Sequence, residues 1–326
     1  MTESATNHLP FSGYRVVELG TRISSGFCGR LLCDYGADVC LIETADGNEL
    51  RHCIPPKHES GHANNGLFGY LHAGKTTVLV DHVDPDTLRG LLSDADIFVY
   101  GAPDIPHQTE RELFKLLSQS HESLIAVHLS PYGLSGPYSE LAGCELTANA
   151  LSGITQRIGA PDREPLTLPL AQAAYQAGYA AACGAACGLI ARMDSMQGQV
   201  VEVSETEAIA TVHAGYSVTR YQTAGIEEER AGNRMALLPY PQTVLPCADG
   251  FVALNTPEGR QWGRLLELMG SPAWGKDERY RSRIKNSLPP RVDELDAYFK
   301  TWLQDYSKEQ FYTLCREHEI PSGPVR

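Results

Sequence analysis

Apolar and polar positions alternate with two different periods along the first half of the chain. The run from Tyr14 to Leu19 predicts a buried strand, Gly26 to Tyr35 a helix, and Asp38 to Ile42 a second strand, a βαβ unit at the start. Thr77 to Val80 and Asp96 to Tyr100 are further short strands with a helix over Pro85 to Leu92 between them. A helix over Glu110 to Gln119 then precedes a strand at Leu124 to Leu129. Strand and helix keep taking turns, which predicts an α/β fold around a mainly parallel sheet.

From Ala171 to Met193 the sequence AQAAYQAGYAAACGAACGLIARM predicts a long helix whose small side chains allow close packing against another helix or a neighbouring subunit. GQVVEVS (198 to 204) then alternates like a strand. The polar stretch TRYQTAGIEEERAGN is the candidate linker, so a boundary is expected near residue 225, with a large domain over 1–225 and a small one over 226–326. In the second part, PYPQTVLPCADGFVAL predicts a hairpin turning at Asp249-Gly250. QWGRLLELMG and ELDAYFKTWLQDY are amphipathic helices.

Composition narrows the function classes. With 326 residues and a net charge of -13, the chain can bury a large core but lacks the basic surface that nucleic acid needs. No apolar run is long enough for a membrane span and the N-terminal stretch does not resemble a leader, so neither a membrane nor nucleic acid is expected as a partner, and a cytoplasmic location is. The nine cysteines are odd in number and without a CxxC pair, which suits reduced thiols. Cys183 and Cys187 are read as small core residues of the long helix rather than metal ligands.

Two stretches imitate known motifs. HESGH, His58 to His62, has the HExxH spacing of zinc proteases, but Pro55, Pro56 and Gly61 make it a loop, and no metal is expected. The first strand-to-helix turn, ELGTRISSGFCG, lacks the GxGxxG of dinucleotide folds, so a nicotinamide cofactor is disfavoured. Its backbone amides and helix N-terminus still suit an anionic or adenine-bearing ligand. AGCELTANALSGI (142 to 154) sets one carboxylate, Glu145, where a small-residue loop turns into an apolar helix.

The segments Val16 to Glu43, LHAGKTTVLVD (71 to 81), ADIFVY (95 to 100), LSPYGLSGPYSELAGCELTANALSGI (129 to 154), GQVVEVSETEA (198 to 208), PYPQTVLPCADGF (239 to 251) and IPSGPV (320 to 325) resemble, in order, the family III CoA-transferases. These include formyl-CoA:oxalate and carnitine CoA-transferases and the related α-methylacyl-CoA racemases. The resemblance implies a Rossmann-like large domain, a smaller α/β domain and a homodimer of interlaced chains, with coenzyme A entering as acyl-CoA and a carboxylic acid as second substrate. The chain stops at IPSGPVR, short of the family pattern, which implies either a naturally short chain or a piece of a longer polypeptide, such as a tandem fusion that pairs it with a second homologous domain.

In that family a carboxylate in a GxD motif attacks the thioester. Glu145 holds this position, with glutamate for aspartate, and is the candidate nucleophile. Thr21, Arg22, Ile23 and Ser24 match the loop that wraps the CoA adenine and pantetheine, and Lys75 matches a lysine placed for CoA phosphate. Gly143 would allow close backbone approach, and Gly133 and Gly136 would shape the adjoining loop. Pro103 stands where an arginine is usual, Leu41 where a lysine is, and Pro131 and Leu134 replace glycine and glutamine. No glycine-rich lid segment is found, which disfavours a formyl or oxalyl substrate. The leading reading is CoA transfer between acids through Glu145. The alternatives are an acyl-CoA racemase pairing the acid with a histidine such as His128, and a non-catalytic half or partner subunit.

Overall fold

The computed structural model describes residues 9–52, 66–102, 107–213, 217–227, 229–235 and 238–326. HESGH and Pro103 lie outside these. The chain forms two compact units, Met1–Gln156 with Thr167–Glu228, and Arg157–Leu166 with Glu229–Arg326. The ten-residue excursion at 157–166, read from sequence as part of the large domain, thus belongs to the second unit.

In the first unit six parallel strands, β1 (Arg15–Gly20), β2 (Asp38–Thr44), β3 (Thr76–Val80), β4 (Ile97–Gly101), β5 (Ile125–Ser130) and β6 (Gln199–Ser204), lie in the order β3-β2-β1-β4-β5-β6. This is the doubly wound arrangement, with chain order reversing between β1 and β4. Helices α1 (Ile23–Asp34), α2 (Gly66–His72), α3 (Pro85–Leu91), α4 (His107–Ser120) and α5 (Glu145–Leu151) follow in sequence. After α6 (Ile154–Arg157) come the long α7 (Gln172–Ser195), α8 (Glu205–Thr211) and α9 (Thr219–Ala224), the last inside the stretch expected to be a linker.

The central strands β4 and β5 are buried on both faces, as the interior of a parallel sheet requires, while the edge strands β3 and β6 are largely exposed. Val16, Val39, Val99, Ile125 and Val127 cluster with Leu32 of α1 and Ala177, Ala181 and Ala185 of α7. Alternate residues Val17, Ile42, Phe98, Tyr100 and Ala126 cluster with Leu88 of α3 and Phe114 and Leu117 of α4. The small residues of α7 are required by its approach to α1: a Cβ at Gly178 would lie 2.6 Å from the Ser24 carbonyl oxygen. Cys183 and Cys187 face outward and are exposed, correcting the core assignment. An Ala/Gly/Cys helix carries almost no difference in hydropathy between its faces, so its sequence could not say which one was buried.

In the second unit β7 (Gln242–Cys247), β8 (Gly250–Asn255) and β9 (Ser322–Pro324) form an antiparallel sheet. Cys247 pairs with Gly250, so the hairpin turns on Ala248 and Asp249, one residue earlier than expected. Helices α10 (Gly259–Leu268), α11 (Arg291–Leu303) and α12 (Lys308–Glu317) complete the unit, whose core is aromatic: Tyr240, Tyr280, Phe299 and Phe311 are almost fully buried. Buried Asp296 accepts from Arg234 (2.7 Å) and from the Tyr240 hydroxyl (2.8 Å), so its charge is compensated. No helix among the described residues is long and apolar enough to cross a membrane, and they hold no cluster of metal-ligating side chains.

Candidate active site

In a doubly wound sheet, ligands bind beyond the carboxyl ends of the strands, and that edge gathers most of the candidates. The loop after β1 crosses towards β4: the amides of Thr21 and Arg22 both donate to the Gly101 carbonyl, at 3.0 and 3.3 Å. Gly20 and Gly101 permit this contact, since a Cβ on Gly20 would lie 2.7 Å from the Gly101 oxygen. Arg22 is the N-cap of α1, so the free amides of the first turn at Ile23 and Ser24 open beside the switch point. Ser24 Oγ donates to Glu205 Oε1 at 2.7 Å, and Arg22 pairs with the same carboxylate at 3.6 Å. Thr21 Oγ1 and Arg22 Nε are buried without a hydrogen-bond partner among the described residues.

The loop after β5 carries the glycines. Gly133 adopts φ +87°, and a Cβ there would lie 2.5 Å from Glu202 Oε1, which accepts from the Leu134 amide at 2.7 Å. Gly136, at φ +95°, likewise needs glycine's left-handed freedom. Gly143 packs on Pro131 and Tyr132 so closely that a Cβ would fall 2.4 Å from Pro131 Cβ. The Tyr132 hydroxyl donates to Thr147 at 2.7 Å, fastening this loop to α5.

Glu145 is the first residue of α5. Its half-buried carboxylate reaches across to the N-terminus of α7, where Ala171 supplies no capping side chain. Oε1 accepts from the Ala173 amide at 2.7 Å and from Asn149 Nδ2 at 2.6 Å, while Oε2 accepts only from the Ala174 amide, at 3.1 Å. Three donors converge on this carboxylate at the positive end of a 24-residue helix. Both oxygens are held, but Oε1 by two donors and Oε2 by one among the described residues, which leaves Oε2 a second lone pair. Phe27 and Tyr175 meet edge to face at 5.0 Å, and with Tyr70, Tyr179, Gln172 and Gln176 they line an open groove along the first turns of α7. Glu145 thus meets α7 at Ala173 and Ala174, and Ser24 meets it at Gly178, about one turn further along.

Lys75 lies elsewhere. It precedes β3 and is buried beneath α1, where Nζ contacts Glu18 Oε2 (2.5 Å), the Gly26 carbonyl (2.9 Å) and His72 Nδ1 (3.1 Å). All three of its N–H bonds are used inside the fold, so the phosphate role implied by the resemblance has no free donor here. Burial raises Glu18 to about 7 against the pull of Lys75, and lowers His72 to about 3. His128 is fully buried on the sheet face, 3.3 Å from Glu110 and stacked on Tyr100, which makes it a core histidine.

The family model for CoA-transferase family III matches residues 11–326. The chain belongs to CoA-transferase family III. It is 28% identical to the succinate–glutarate CoA-transferase of Agrobacterium fabrum, over its whole length and 82% of that protein. It is 27% identical to the succinyl-CoA–D-citramalate CoA-transferase of Chloroflexus aurantiacus, with 97% and 78% covered. A CAIB/BAIF family protein from Brucella suis shares the fold at TM-score 0.77 and 24% identity, covering 98% of this chain and 84% of that one. The family III reading, the α/β fold and the CoA-transferase class are thus established, and acyl-CoA and a carboxylate are the substrates that membership implies.

Sequence reasoning did not find Asn149, Glu205 or Glu18. Asn149 carried a usable signal, since it stands four residues after Glu145 on one helix face. Glu205 and Glu18 carried none, because nothing in the local pattern distinguishes a buried acid at a helix start or within a strand from an exposed one.

Proposed function

We propose that Glu145 is the nucleophile of a CoA transfer from a short dicarboxylyl-CoA, with succinyl-CoA as donor, to a second carboxylic acid. The observation that carries the role of Glu145 is its anchoring: Oε1 is fixed by Asn149 and Ala173, and Oε2, held by Ala174 alone among the described residues, keeps a second lone pair. A carboxylate held in this way attacks without first having to be ordered. The choice of donor is supported by relatives named for succinyl-CoA and succinate. Thr21 to Ser24 would receive the CoA through the backbone amides that open α1, with Gly133 and Gly143 keeping the neighbouring loop close to the nucleophile. A homodimer, or pairing with a second homologous chain, belongs to the same proposal. It is supported by the exposed Tyr179, Cys183, Cys187 and Ile190 along α7 and by relatives named as α and β subunits of a succinyl-CoA–L-malate CoA-transferase.

One observation favours a second reading, in which the carboxylate only caps α7: two of its donors, the Ala173 and Ala174 amides, are first-turn amides of that helix. Incubation with succinyl-CoA and a panel of other acyl-CoAs, quenched with borohydride, separates the two. Reduction of Glu145 in the wild type, lost in Glu145→Gln, is the expected result. Measurable acyl-CoA binding with no modification of Glu145 by any thioester would overturn the nucleophile and leave the cap.

A further inference from the structure

We infer that Asn149 and the Ala173 amide form an oxyanion hole for the carbonyl of Glu145 itself. This rests on the nucleophile reading above and assigns a further catalytic residue within it.

In a transfer through an enzyme carboxylate, that group is attacked as well as attacking. Oε2 first adds to the thioester carbonyl carbon and the C–S bond breaks. CoA thiolate leaves and a mixed anhydride remains, with Oε2 as the bridging oxygen and Cδ–Oε1 as a carbonyl. The thiolate then adds to Cδ, an electron pair moves onto Oε1, and the Cδ–Oε2 bond breaks. The donor acid departs with Oε2 and a glutamyl thioester is left. The acceptor carboxylate next adds to Cδ, again placing charge on Oε1, and expels the thiolate. The thiolate finally attacks the acceptor's acyl carbon, returning Glu145 with Oε1 and one oxygen of the acceptor. No net proton and no oxidant is consumed. Two of the four additions therefore develop negative charge on Oε1.

Oε1 is the oxygen that carries two donors. Asn149 Nδ2 lies 2.6 Å from it and the Ala173 amide 2.7 Å, at the short end of the range for donors that stabilise an oxyanion. The departing oxygen, Oε2, has the single longer bond, 3.1 Å to Ala174. The amide of Asn149 is fully buried, and Nδ2 also donates to the Glu145 main-chain oxygen at 2.8 Å, which fixes its orientation. Its Oδ1 is left without a partner among the described residues. An unpaired buried carbonyl is destabilising, so aiming both N–H bonds at Glu145 is maintained against a penalty that an apolar side chain would avoid.

The test uses the full chain with succinyl-CoA and two variants, Asn149→Leu, which keeps the branched four-atom side chain without its N–H donors, and Asn149→Ala. Each is expected to lower kcat by about a hundred- to a thousandfold with no rise in KM for succinyl-CoA, because slowing a step after acylation lowers KM along with kcat. In acid-quenched single turnovers without acceptor, intact-protein mass spectrometry should find a CoA adduct on the wild type and an acyl adduct on both variants. The first addition loads the donor's oxygen rather than Oε1, so only the second is blocked. A CoA adduct forming at the wild-type rate in either variant, or a loss confined to KM, would overturn the assignment while leaving Glu145 as nucleophile. A wild type that forms neither adduct would overturn the nucleophile reading and this one with it.

Discussion

Lys75 Nζ lies 2.5 Å from Glu18 Oε2, and neither side chain is more than 1% exposed. Removing one member of such a pair leaves a buried charge without a partner. Lys75→Met should therefore cost about 3–5 kcal/mol of stability. Without the lysine, Glu18 stays protonated in the folded chain over a wider pH range than in the unfolded one. The folded state then binds the extra proton, and stability falls as pH rises above the ordinary carboxylate range. Urea unfolding should show a larger loss at pH 8 than at pH 5, and Glu18→Gln in the Lys75→Met background should remove that difference. An unchanged stability with a raised KM for acyl-CoA would instead restore Lys75 to the phosphate.

Gly29 is fixed by the same pair. A Cβ there would stand 1.9 Å from Glu18 Oε2 and 2.9 Å from Lys75 Nζ. In α10, a Cβ on Gly263 meets nothing within 4 Å. Gly263→Ala should stabilise the chain by about 0.5–1 kcal/mol through helix propensity, whereas Gly29→Ala should destabilise it. Thermal melts of the two variants check the contrast, and a stabilised Gly29→Ala would mean that the ion pair is not where it is described.

His72 supplies a pH dependence of opposite sign. Burial lowers it to about 3 from 6.5, so between those values the unfolded chain holds a proton that the folded one lacks. Stability should rise across that window with a slope of about 1.4 kcal/mol per pH unit from this group. Glu18, raised to about 7 from 4.5, binds a proton in the folded state over a range that overlaps the window and opposes the rise. In His72→Gln the stability gained from pH 3 to pH 4.5 should shrink and the decline above pH 4.5 should steepen, both read from denaturant midpoints. A profile parallel to the wild type would exclude a buried neutral His72.

The strands were legible because their apolar runs are short, β-branched and separated by helical periods, and all six strands of the large sheet fall within two residues of where the pattern placed them. The exposed face of α7 was not legible, since Cys183 and Cys187 differ little in hydropathy from the alanines buried beside them. At the site, Glu145 was found through its flanking glycine and helix start. Its environment was hidden because the Ala173 and Ala174 amides lie 28 and 29 residues away and have no side-chain signature. Lys75 was assigned by correspondence of position, and its actual partner depends on how far α1 covers β1, which local sequence does not report.

Glu145 also closes α7, and the length of its side chain decides whether it can do so. Glu145→Ala removes the acceptor of two main-chain donors at the start of a long helix and should cost about 1–2 kcal/mol. Glu145→Asp keeps the charge but withdraws the carboxylate by one methylene, so bonds of 2.7 and 3.1 Å to Ala173 and Ala174 cannot be kept from the same backbone. The aspartate variant should thus lose nearly as much stability as the alanine one. A displacement of about an ångström at the reacting group can cost roughly a hundredfold in rate, so its turnover should fall to that extent although aspartate is the family's usual residue. Unfolding midpoints and steady-state rates measured on the two variants together decide this. An aspartate variant as stable and as fast as the wild type would show that the helix end does not set the position of the carboxylate.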